Sequence, residues 1–147
     1  MRAKRTVTVL SSDIRPALPN ETIRFTHKNR KNMKPEYKPF VDALIELAIR
    51  EDIGDGDHTS LCCIPATEKG RMRLLCKQEG ILAGIEIAQL VLRRLDPDMQ
   101  FEQILRDGDR VKPGDVAFYV SGRLQSLLQA ERILLNIMQR MSCLLYT

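Results

Sequence analysis

The fold is decided by residues 126–141, S-L-L-Q-A-E-R-I-L-L-N-I-M-Q-R-M, which carry the best-defined helical period in the chain. At about 100° per residue, most of the apolar side chains fall on one face of a helix. That face consists of Leu127, Ala130, Leu134, Ile137, Met138 and Met141, and it is widened by Leu128 and Leu135. The opposite face carries Arg132, Asn136, Gln139 and Arg140. Because Ser126 and Gln129 have capping-box spacing, we predict a helix that begins at Leu127 and is capped by Ser126.

Glu131 is the exception to this division. It projects into the apolar arc, between Leu127 and Leu128 on one side and Leu135 and Met138 on the other. A buried carboxylate must be paired, protonated or placed at a domain boundary, because burying it alone is too costly. We therefore predict that this helix packs against more than its own sheet.

Two earlier stretches also have helical spacing. In the first, Pro39 suits a first turn and Gly54 and Gly56 follow the end; its apolar stripe consists of Phe40, Leu44, Leu47 and Ala48. The second stops at Asp96-Pro97, and its apolar face consists of Ile85, Ala88, Val91, Leu92 and Leu95.

Strands are predicted between these helices, at residues 72–77, 99–105 and 116–120. Turn sequences separate them, at residues 79–80, 107–109 and 112–115. The order of helix, strands, helix, strands and helix predicts the α+β fold class, with a small, mostly antiparallel sheet and flanking helices.

Residues 1–33 differ from the rest of the chain in charge. They carry eight Lys and Arg against two acidic residues, whereas residues 34–147 carry 15 basic and 17 acidic groups. We predict a basic, disordered leader at 1–33 and one folded domain at 34–147. Binding to the phosphates of a nucleic acid needs clustered Lys and Arg, with aromatic residues where single strands are bound. The folded part has no such cluster, so we predict no binding to nucleic acid.

The compartment follows from what the sequence lacks. No apolar stretch approaches the roughly 18 residues that span a bilayer, and no apolar segment follows the basic amino terminus as in a secretory signal. Four cysteines in 147 residues do not indicate a disulfide framework. We predict a cytoplasmic protein that does not engage a membrane.

The acidic and sulfur-containing residues do not match a metal site. An EF-hand loop starting at Asp55 would place Ser60 where glycine is needed and Ala66 where the bidentate glutamate belongs. The adjacent Cys62 and Cys63 cannot easily share one tetrahedral zinc ion. We predict turn-forming aspartates and structural cysteines, with no metal ligand and no catalytic residue in this chain.

Arg132 is the candidate for ligand binding. It lies one helical turn from Asn136 on the polar face, and a guanidinium offers a planar fork that matches a carboxylate bidentately. An arginine on a solvated helix face usually has no specific role, so the residues alone leave both interpretations open.

Several motifs occur together in the order typical of one family. They are residues 47–60 (L-A-I-R-E-D-I-G-D-G-D-H-T-S), 64–66 (I-P-A), 79–84 (E-G-I-L-A-G), 107–115 (D-G-D-R-V-K-P-G-D) and 127–136 (L-L-Q-A-E-R-I-L-L-N). From about Tyr37 to Ser142 the chain resembles the amino-terminal domain of quinolinate phosphoribosyltransferase, also called carboxylating nicotinate-nucleotide pyrophosphorylase.

The resemblance implies a transferase of NAD biosynthesis. The family converts quinolinate and phosphoribosyl pyrophosphate to nicotinate mononucleotide, carbon dioxide and pyrophosphate, with Mg²⁺. It implies a homodimer or higher homo-oligomer, in which the amino-terminal domain of one subunit covers the barrel active site of the other. It also implies that Arg132 reaches a quinolinate carboxylate across that interface.

The end of the chain departs from the family. After Met141-Ser142 the family continues Gly-Ile-Ala-Thr and then an α/β barrel, whereas residues 143–147 here are C-L-L-Y-T. We expect the domain to be truncated before the barrel, the Mg²⁺ ligands to belong to that barrel, and this chain alone to be inactive. Two alternatives stay open, a non-catalytic dimerisation or interaction domain and a fragment of a related pyrophosphorylase linked to molybdenum transport.

Overall fold

The computed structural model describes residues 10–16, 33–54 and 62–146. In chain order the elements are β1 (Leu10–Pro16), a 3₁₀ turn (Pro35–Tyr37), α1 (Lys38–Ile53), β2 (Lys69–Cys76), β3 (Gly80–Ile81), α2 (Ile85–Leu95), β4 (Gln100–Gln103), β5 (Arg110–Val111), β6 (Val116–Arg123) and α3 (Leu124–Tyr146).

Four strands form an antiparallel sheet in the order β1-β2-β6-β4, and β3 pairs with β5 as a separate two-stranded ribbon. Along β2 the side chains alternate, so that Met72, Leu74 and Cys76 are buried while Arg71 and Arg73 lie on the outer face. Such alternation is typical of an antiparallel sheet with one face on the core. The predicted α+β class is confirmed.

The core lies between the sheet and the last helix. α3 packs against α2 and against β1, β2, β3 and β6. Four residues of its predicted apolar face, Leu127, Ala130, Leu134 and Met138, are fully buried. Ile133, which the prediction left out of that face, is also fully buried. The helix therefore has the predicted orientation, and its buried surface is wider than the periodicity indicated.

The predicted start of this helix is wrong. α3 begins at Leu124, and Ser126 lies inside its first turn rather than at its cap. The Leu124 backbone N–H donates to the Glu68 carbonyl over 2.9 Å, which satisfies one of the free donors of the helix terminus. Ser126 is buried, and its hydroxyl interacts with the Asp96 carboxylate. A tertiary partner has replaced the local capping role that the sequence predicted.

The predicted apolar stripe of α1 is also wrong in its direction. The helix has Pro39 in its first turn and ends at Ile53, directly before Gly54, as predicted. However, Phe40, Leu44 and Leu47 are exposed, and the buried residue of this helix is Ile45. Val41, Ala48, Ile49 and Ile53 are the partly buried residues that pack beside it. Two adjacent arcs of α1 are apolar, so periodicity alone could not show which of them faces the core.

A strand occupies part of the predicted leader. β1 pairs antiparallel with β2 over seven residues, and Asp13 accepts from Arg73, with a shortest contact of 2.8 Å. The disorder predicted for residues 1–33 is therefore wrong at residues 10–16. Residues 1–9 and 17–32 lie outside the described residues, and the division of the chain at residue 33 stays a prediction. Pairing with β2 is a non-local contact that composition does not reveal.

The remaining predicted strands and turns are present with different bounds: β2 and β6 are longer than predicted, and β4 is shorter. β4 is four residues long where residues 99–105 were predicted, and the short strand β5 was not predicted. Gly108 and Gly114 adopt φ values of 94° and 95° in the turns on either side of β5, a conformation that favours glycine. Within the described ranges, no helix has the length and apolar character needed to cross a membrane.

Candidate functional site

The side chain of Arg132 extends from α3 into solvent, with 79% of its surface exposed. Its Nε lies 3.9 Å from Oδ1 of Asp52, at the carboxyl-terminal turn of α1. At this separation and exposure the ion pair contributes little to stability. The guanidinium therefore keeps hydrogen-bonding capacity for a carboxylate ligand. The sequence analysis did not identify Asp52 as a neighbour of Arg132, because the two residues lie on different helices.

Asn136 and Glu131 are the neighbours of Arg132 on α3 that the sequence analysis discussed. Asn136 is exposed on the same polar face, one turn further along α3. Glu131 is half-buried and interacts with another group, so it is not an isolated charge. This agrees with the prediction that a carboxylate at this position needs compensation.

The amino-terminal end of α3 is held by Asp96, the residue that caps the carboxyl end of α2. One oxygen of its buried carboxylate accepts from Arg123 Nε over 2.8 Å, and the other accepts from the Asp98 backbone N–H over 3.1 Å. The hydrogen bond from Arg123 is the main cause that holds the pKa of Asp96 below its usual value. Burial raises this pKa in opposition, whereas hydrogen bonds from the Asp98 amide and the Ser126 hydroxyl lower it further. This cluster joins α2, β6 and α3.

The carboxyl-terminal half of α3 is held by the segment between β3 and α2. The buried Ser142 hydroxyl accepts from the Ala83 N–H over 3.0 Å and lies 3.3 Å from the Ala83 carbonyl, to which it can donate. Gly84 follows with φ 97°, and a Cβ there would lie 3.1 Å from Met141 Sδ and 3.3 Å from Met138 Cγ. Glycine therefore permits both the turn and the close approach of α3.

The amino terminus of α2 is capped from a distant part of the chain. Asp107 Oδ1 accepts from the Ile85 N–H over 2.8 Å, and Asp107 Oδ2 lies 3.4 Å from the Glu86 amide nitrogen. A carboxylate at this end of a helix is favoured by the free N–H groups and the helix dipole. The sequence predicted a turn at Asp107-Gly108-Asp109 but not this cap, since Asp107 lies 22 residues after Ile85. α3 and its anchors thus form one framework that carries the exposed guanidinium of Arg132.

Comparison with known proteins identifies the family to which this chain belongs. Residues 57–142 match the family model described as "Quinolinate phosphoribosyl transferase, N-terminal domain". The chain belongs to this family. The matched segment contains α2, α3 as far as Ser142 and the sheet strands β2, β6 and β4, whereas β1 and α1 precede it.

Curated relatives within the family include two plant proteins. Quinolinate phosphoribosyltransferase [decarboxylating] 1 of Nicotiana glauca is 40% identical over 113 residues, which are 75% of this chain and 32% of that protein. The chloroplastic nicotinate-nucleotide pyrophosphorylase [carboxylating] of Arabidopsis thaliana has the same identity and coverage. The chain therefore spans about a third of the length of these relatives.

Solved structures agree with this family assignment. NadC from Streptococcus pyogenes superposes with a TM-score of 0.70 at 29% identity, over 77% of this chain and 39% of that one. The nicotinate-nucleotide pyrophosphorylase from Francisella tularensis gives a TM-score of 0.66 at 27% identity, over 76% and 39%. The α+β arrangement described above is thus the fold of the quinolinate phosphoribosyl transferase amino-terminal domain.

The cysteines of this family member have contrasting environments. Cys76 is buried in the core, where burial, aided by the charge of Asp115, raises the pKa of its thiol to about 11. Cys62 and Cys63 are exposed, and both are free thiols. Among the residues that the structure describes, no three His, Cys, Asp or Glu side chains are grouped as they would be around a metal ion. Asp55 and Ser60, which the sequence analysis tested against an EF-hand loop, lie outside the described residues.

Proposed function

We propose that this chain is the amino-terminal part of an enzyme that converts quinolinate and phosphoribosyl pyrophosphate to nicotinate mononucleotide, carbon dioxide and pyrophosphate. Membership of the quinolinate phosphoribosyl transferase family supports the reaction class, a phosphoribosyl transfer within NAD biosynthesis. The relatives carry quinolinate or nicotinate-nucleotide names, which favours quinolinate over a molybdenum-linked substrate. The activity belongs to the whole protein, of which this chain spans about a third.

The single observation that carries the site proposal is the exposed guanidinium of Arg132 on a firmly anchored helix. Quinolinate is a dicarboxylate, and a planar fork that binds one carboxylate bidentately also fixes the orientation of the ring. Fixing a reactant in this way removes part of the entropic barrier to attack at the ribose carbon. Arg132 would perform this role for the barrel of a second subunit, in a homodimer or larger homo-oligomer.

The chemical groups for catalysis would come from elsewhere in the enzyme. The described residues contain no cluster suited to Mg²⁺, so they do not fit the metal that the family implies, and we derive no step through it. The role proposed for this domain is therefore binding and orientation. By itself the 147-residue chain should form no nicotinate mononucleotide.

The cytoplasmic location stays part of this proposal. The thiols of Cys62, Cys63 and Cys76, which form no disulfide, suit a reducing compartment. The names of some relatives include an organelle: the protein of Arabidopsis thaliana is called chloroplastic, and one of Nicotiana tabacum is called mitochondrial. Fluorescence of a tagged chain in cells would decide between the cytoplasm and an organelle.

A fusion of residues 1–142, which keeps β1 in the sheet, to the barrel of Streptococcus pyogenes NadC tests the role of Arg132. We expect Arg132→Ala to raise the KM for quinolinate by about tenfold or more and to leave the KM for phosphoribosyl pyrophosphate unchanged. Arg132→Lys should recover only part of the affinity, because an ammonium lacks the fork. The control is Arg140→Ala, an exposed arginine on the same helix. Equal quinolinate affinity in the Arg132 and Arg140 variants would remove the assignment.

An interaction domain without catalysis is the second candidate. The broad apolar face of residues 127–141 would favour such a domain if it were exposed, but most of that face is buried within the domain. Exposed apolar side chains occur instead on α1 and at Leu144 and Leu145. Formation of nicotinate mononucleotide by the fusion protein would favour the enzyme, and a folded but inactive fusion would favour the interaction domain.

A further inference from the structure

Asp52 has an unfavourable position in the secondary structure. It lies in the last turn of α1, which ends at Ile53. The carboxyl end of a helix carries a partial negative charge, so the helix repels an acidic side chain there and favours a basic one. Arg50 follows this preference in the same turn, whereas Asp52 contradicts it. Residues that break a local rule in this way are expected at functional sites.

The surroundings of Asp52 direct its charge toward α3. The residue as a whole is exposed at the end of the helix, but its side chain is only 26% exposed, so the carboxylate has lost part of its contact with water. A shielded carboxylate needs a counter-charge. Among the residues that the structure describes, the basic side chain in ion-pair contact with Asp52 is that of Arg132. The acid therefore faces the guanidinium that the proposed function assigns to quinolinate.

The two partners of this ion pair differ in freedom. Arg132 has a long side chain that is 79% exposed, and its rotamers must be restricted when a ligand binds. Asp52 has a short side chain that is largely shielded. Asp52 is therefore the fixed partner, and its attraction reduces the number of rotamers that Arg132 samples before a ligand arrives.

The atoms that face each other determine which edge of the guanidinium is left for a ligand. Oδ1 of Asp52 lies 3.9 Å from Nε of Arg132. A guanidinium can hold a carboxylate with parallel hydrogen bonds along the edge formed by Nε and one Nη, or along the edge formed by both Nη groups. With Asp52 beside Nε, the edge formed by both Nη groups remains for a ligand.

We propose that Asp52 is a positioning residue for Arg132. It attracts the Nε edge of the guanidinium to the end of α1 and leaves both Nη groups to receive a quinolinate carboxylate end-on. This role rests on the ligand binding proposed above for Arg132 and deepens it, because the orientation of that side chain is set by a residue that does not touch the substrate. Since the ion pair is weak, its removal should change affinity a few-fold rather than abolish binding.

NMR relaxation of the 147-residue chain measures the positioning without any substrate. The observable is the order parameter of the Arg132 Nε–H group, whose resonance is assigned by its absence in Arg132→Ala. We expect Asp52→Asn to lower this order parameter by about a third, because the amide keeps the shape of the side chain but has no charge to attract the guanidinium. The matched control is Glu51→Gln, which removes an exposed acid from the same turn and should leave the order parameter unchanged. An equal order parameter in the wild type and Asp52→Asn would overturn the proposal.

Kinetics of the fusion enzyme described above measure the consequence for the substrate. Asp52→Asn should raise the KM for quinolinate about threefold and leave both kcat and the KM for phosphoribosyl pyrophosphate unchanged. Asp52→Glu should keep most of the affinity, because a carboxylate remains near the guanidinium. In an Arg132→Ala background, Asp52→Asn should have no further effect, since a positioning residue acts only through the side chain that it positions. Glu51→Gln should leave all of these constants unchanged.

The combined variants separate the role of Asp52 from the proposed function. A KM for quinolinate that rises in Arg132→Ala but not in Asp52→Asn would overturn the role of Asp52 alone. An equal rise on Asp52→Asn with and without Arg132 would also overturn it, because the acid would then act through the fold or on the substrate itself. A KM that Arg132→Ala leaves unaltered would overturn both proposals. Thermal unfolding followed by circular dichroism checks that each variant is folded.

Discussion

Replacing Asp96 tests whether the junction of α2, β6 and α3 is held by polar contacts. The carboxylate is 1% exposed and joins Arg123, the Asp98 amide and the Ser126 hydroxyl. Asp96→Ala removes all three contacts at once and leaves the buried Ser126 hydroxyl without this acceptor. Asp96→Asn can keep the bond from the Asp98 amide, but it loses the charge that attracts Arg123. The two variants therefore separate the hydrogen-bonding role of the side chain from its charge.

The magnitudes follow from the contacts. A hydrogen bond to a charged group contributes about 1.5–3 kcal/mol, and a neutral one about 1 kcal/mol. The contribution of Arg123 is smaller than its geometry implies, because 53% of its side chain is exposed to solvent and the pair is partly screened. We expect Asp96→Ala to lower the free energy of unfolding by about 3 kcal/mol, and Asp96→Asn by about 1.5 kcal/mol. The melting temperature of the alanine variant should fall by roughly 10 °C.

Urea denaturation of the three proteins between pH 7 and pH 2.5 is the assay. The folded pKa of Asp96 lies below its ordinary value of 3.8, so its ionised form contributes stability above that pH. This contribution should disappear as the pH falls below 3.8 and the carboxylate becomes protonated. The difference between the wild type and Asp96→Asn should narrow in the same range. The control is Glu79→Ala, which removes an exposed acid. A loss below about 1 kcal/mol in Asp96→Ala would refute the reasoning.

Two further predictions concern packing. Gly84→Ala should lower the free energy of unfolding by about 2–3 kcal/mol, because the strain of its positive φ adds to crowding against α3. Gly114→Ala is the control: with φ 95° and nothing within 4 Å of the added carbon, it should lower the free energy of unfolding by about 1 kcal/mol. Equal losses of stability in the two variants would show that crowding at Gly84 is absent. In the folded chain a thiol reagent should label Cys62 and Cys63 at once and Cys76 only on unfolding. Cys76 is buried, and its pKa of about 11 keeps the thiol protonated. Labelling of Cys76 as fast as that of Cys62 and Cys63 would contradict this prediction.

The parts of the fold that the sequence predicts well have a single apolar face. α2 buries Ile85, Ala88, Val91 and Leu92, all of which belong to the predicted face, and it ends at Leu95, directly before the predicted Asp96-Pro97 stop. In α3 the polar residues around Arg132 lie on the opposite side from the core, as the period indicates. For such helices the 3.6-residue period determines both the element and its orientation.

The parts that the sequence predicts poorly depend on contacts between distant residues. Ser126 has capping spacing, but the nearby Asp96 carboxylate gives it another partner. The strand at residues 10–16 exists through pairing with β2, whose partner residues lie about sixty positions away. The cap that Asp107 provides for α2 is equally non-local. Local periodicity contains no information on these pairings, nor on the approach of Asp52 to Arg132.

The anchors of α3 would allow an exposed arginine to bind a carboxylate in a defined position, as proposed for Arg132. A side chain on a loop would lose conformational entropy on binding, both in its backbone and in its rotamers, whereas the backbone at Arg132 is already fixed. Asp96 and Ser126 fix the helix on one side of it, and Ser142 fixes it on the other. Only the side-chain rotamers of Arg132 remain to be ordered by a carboxylate. Loosening an anchor should therefore weaken quinolinate binding in the fused enzyme even though no anchor touches the substrate.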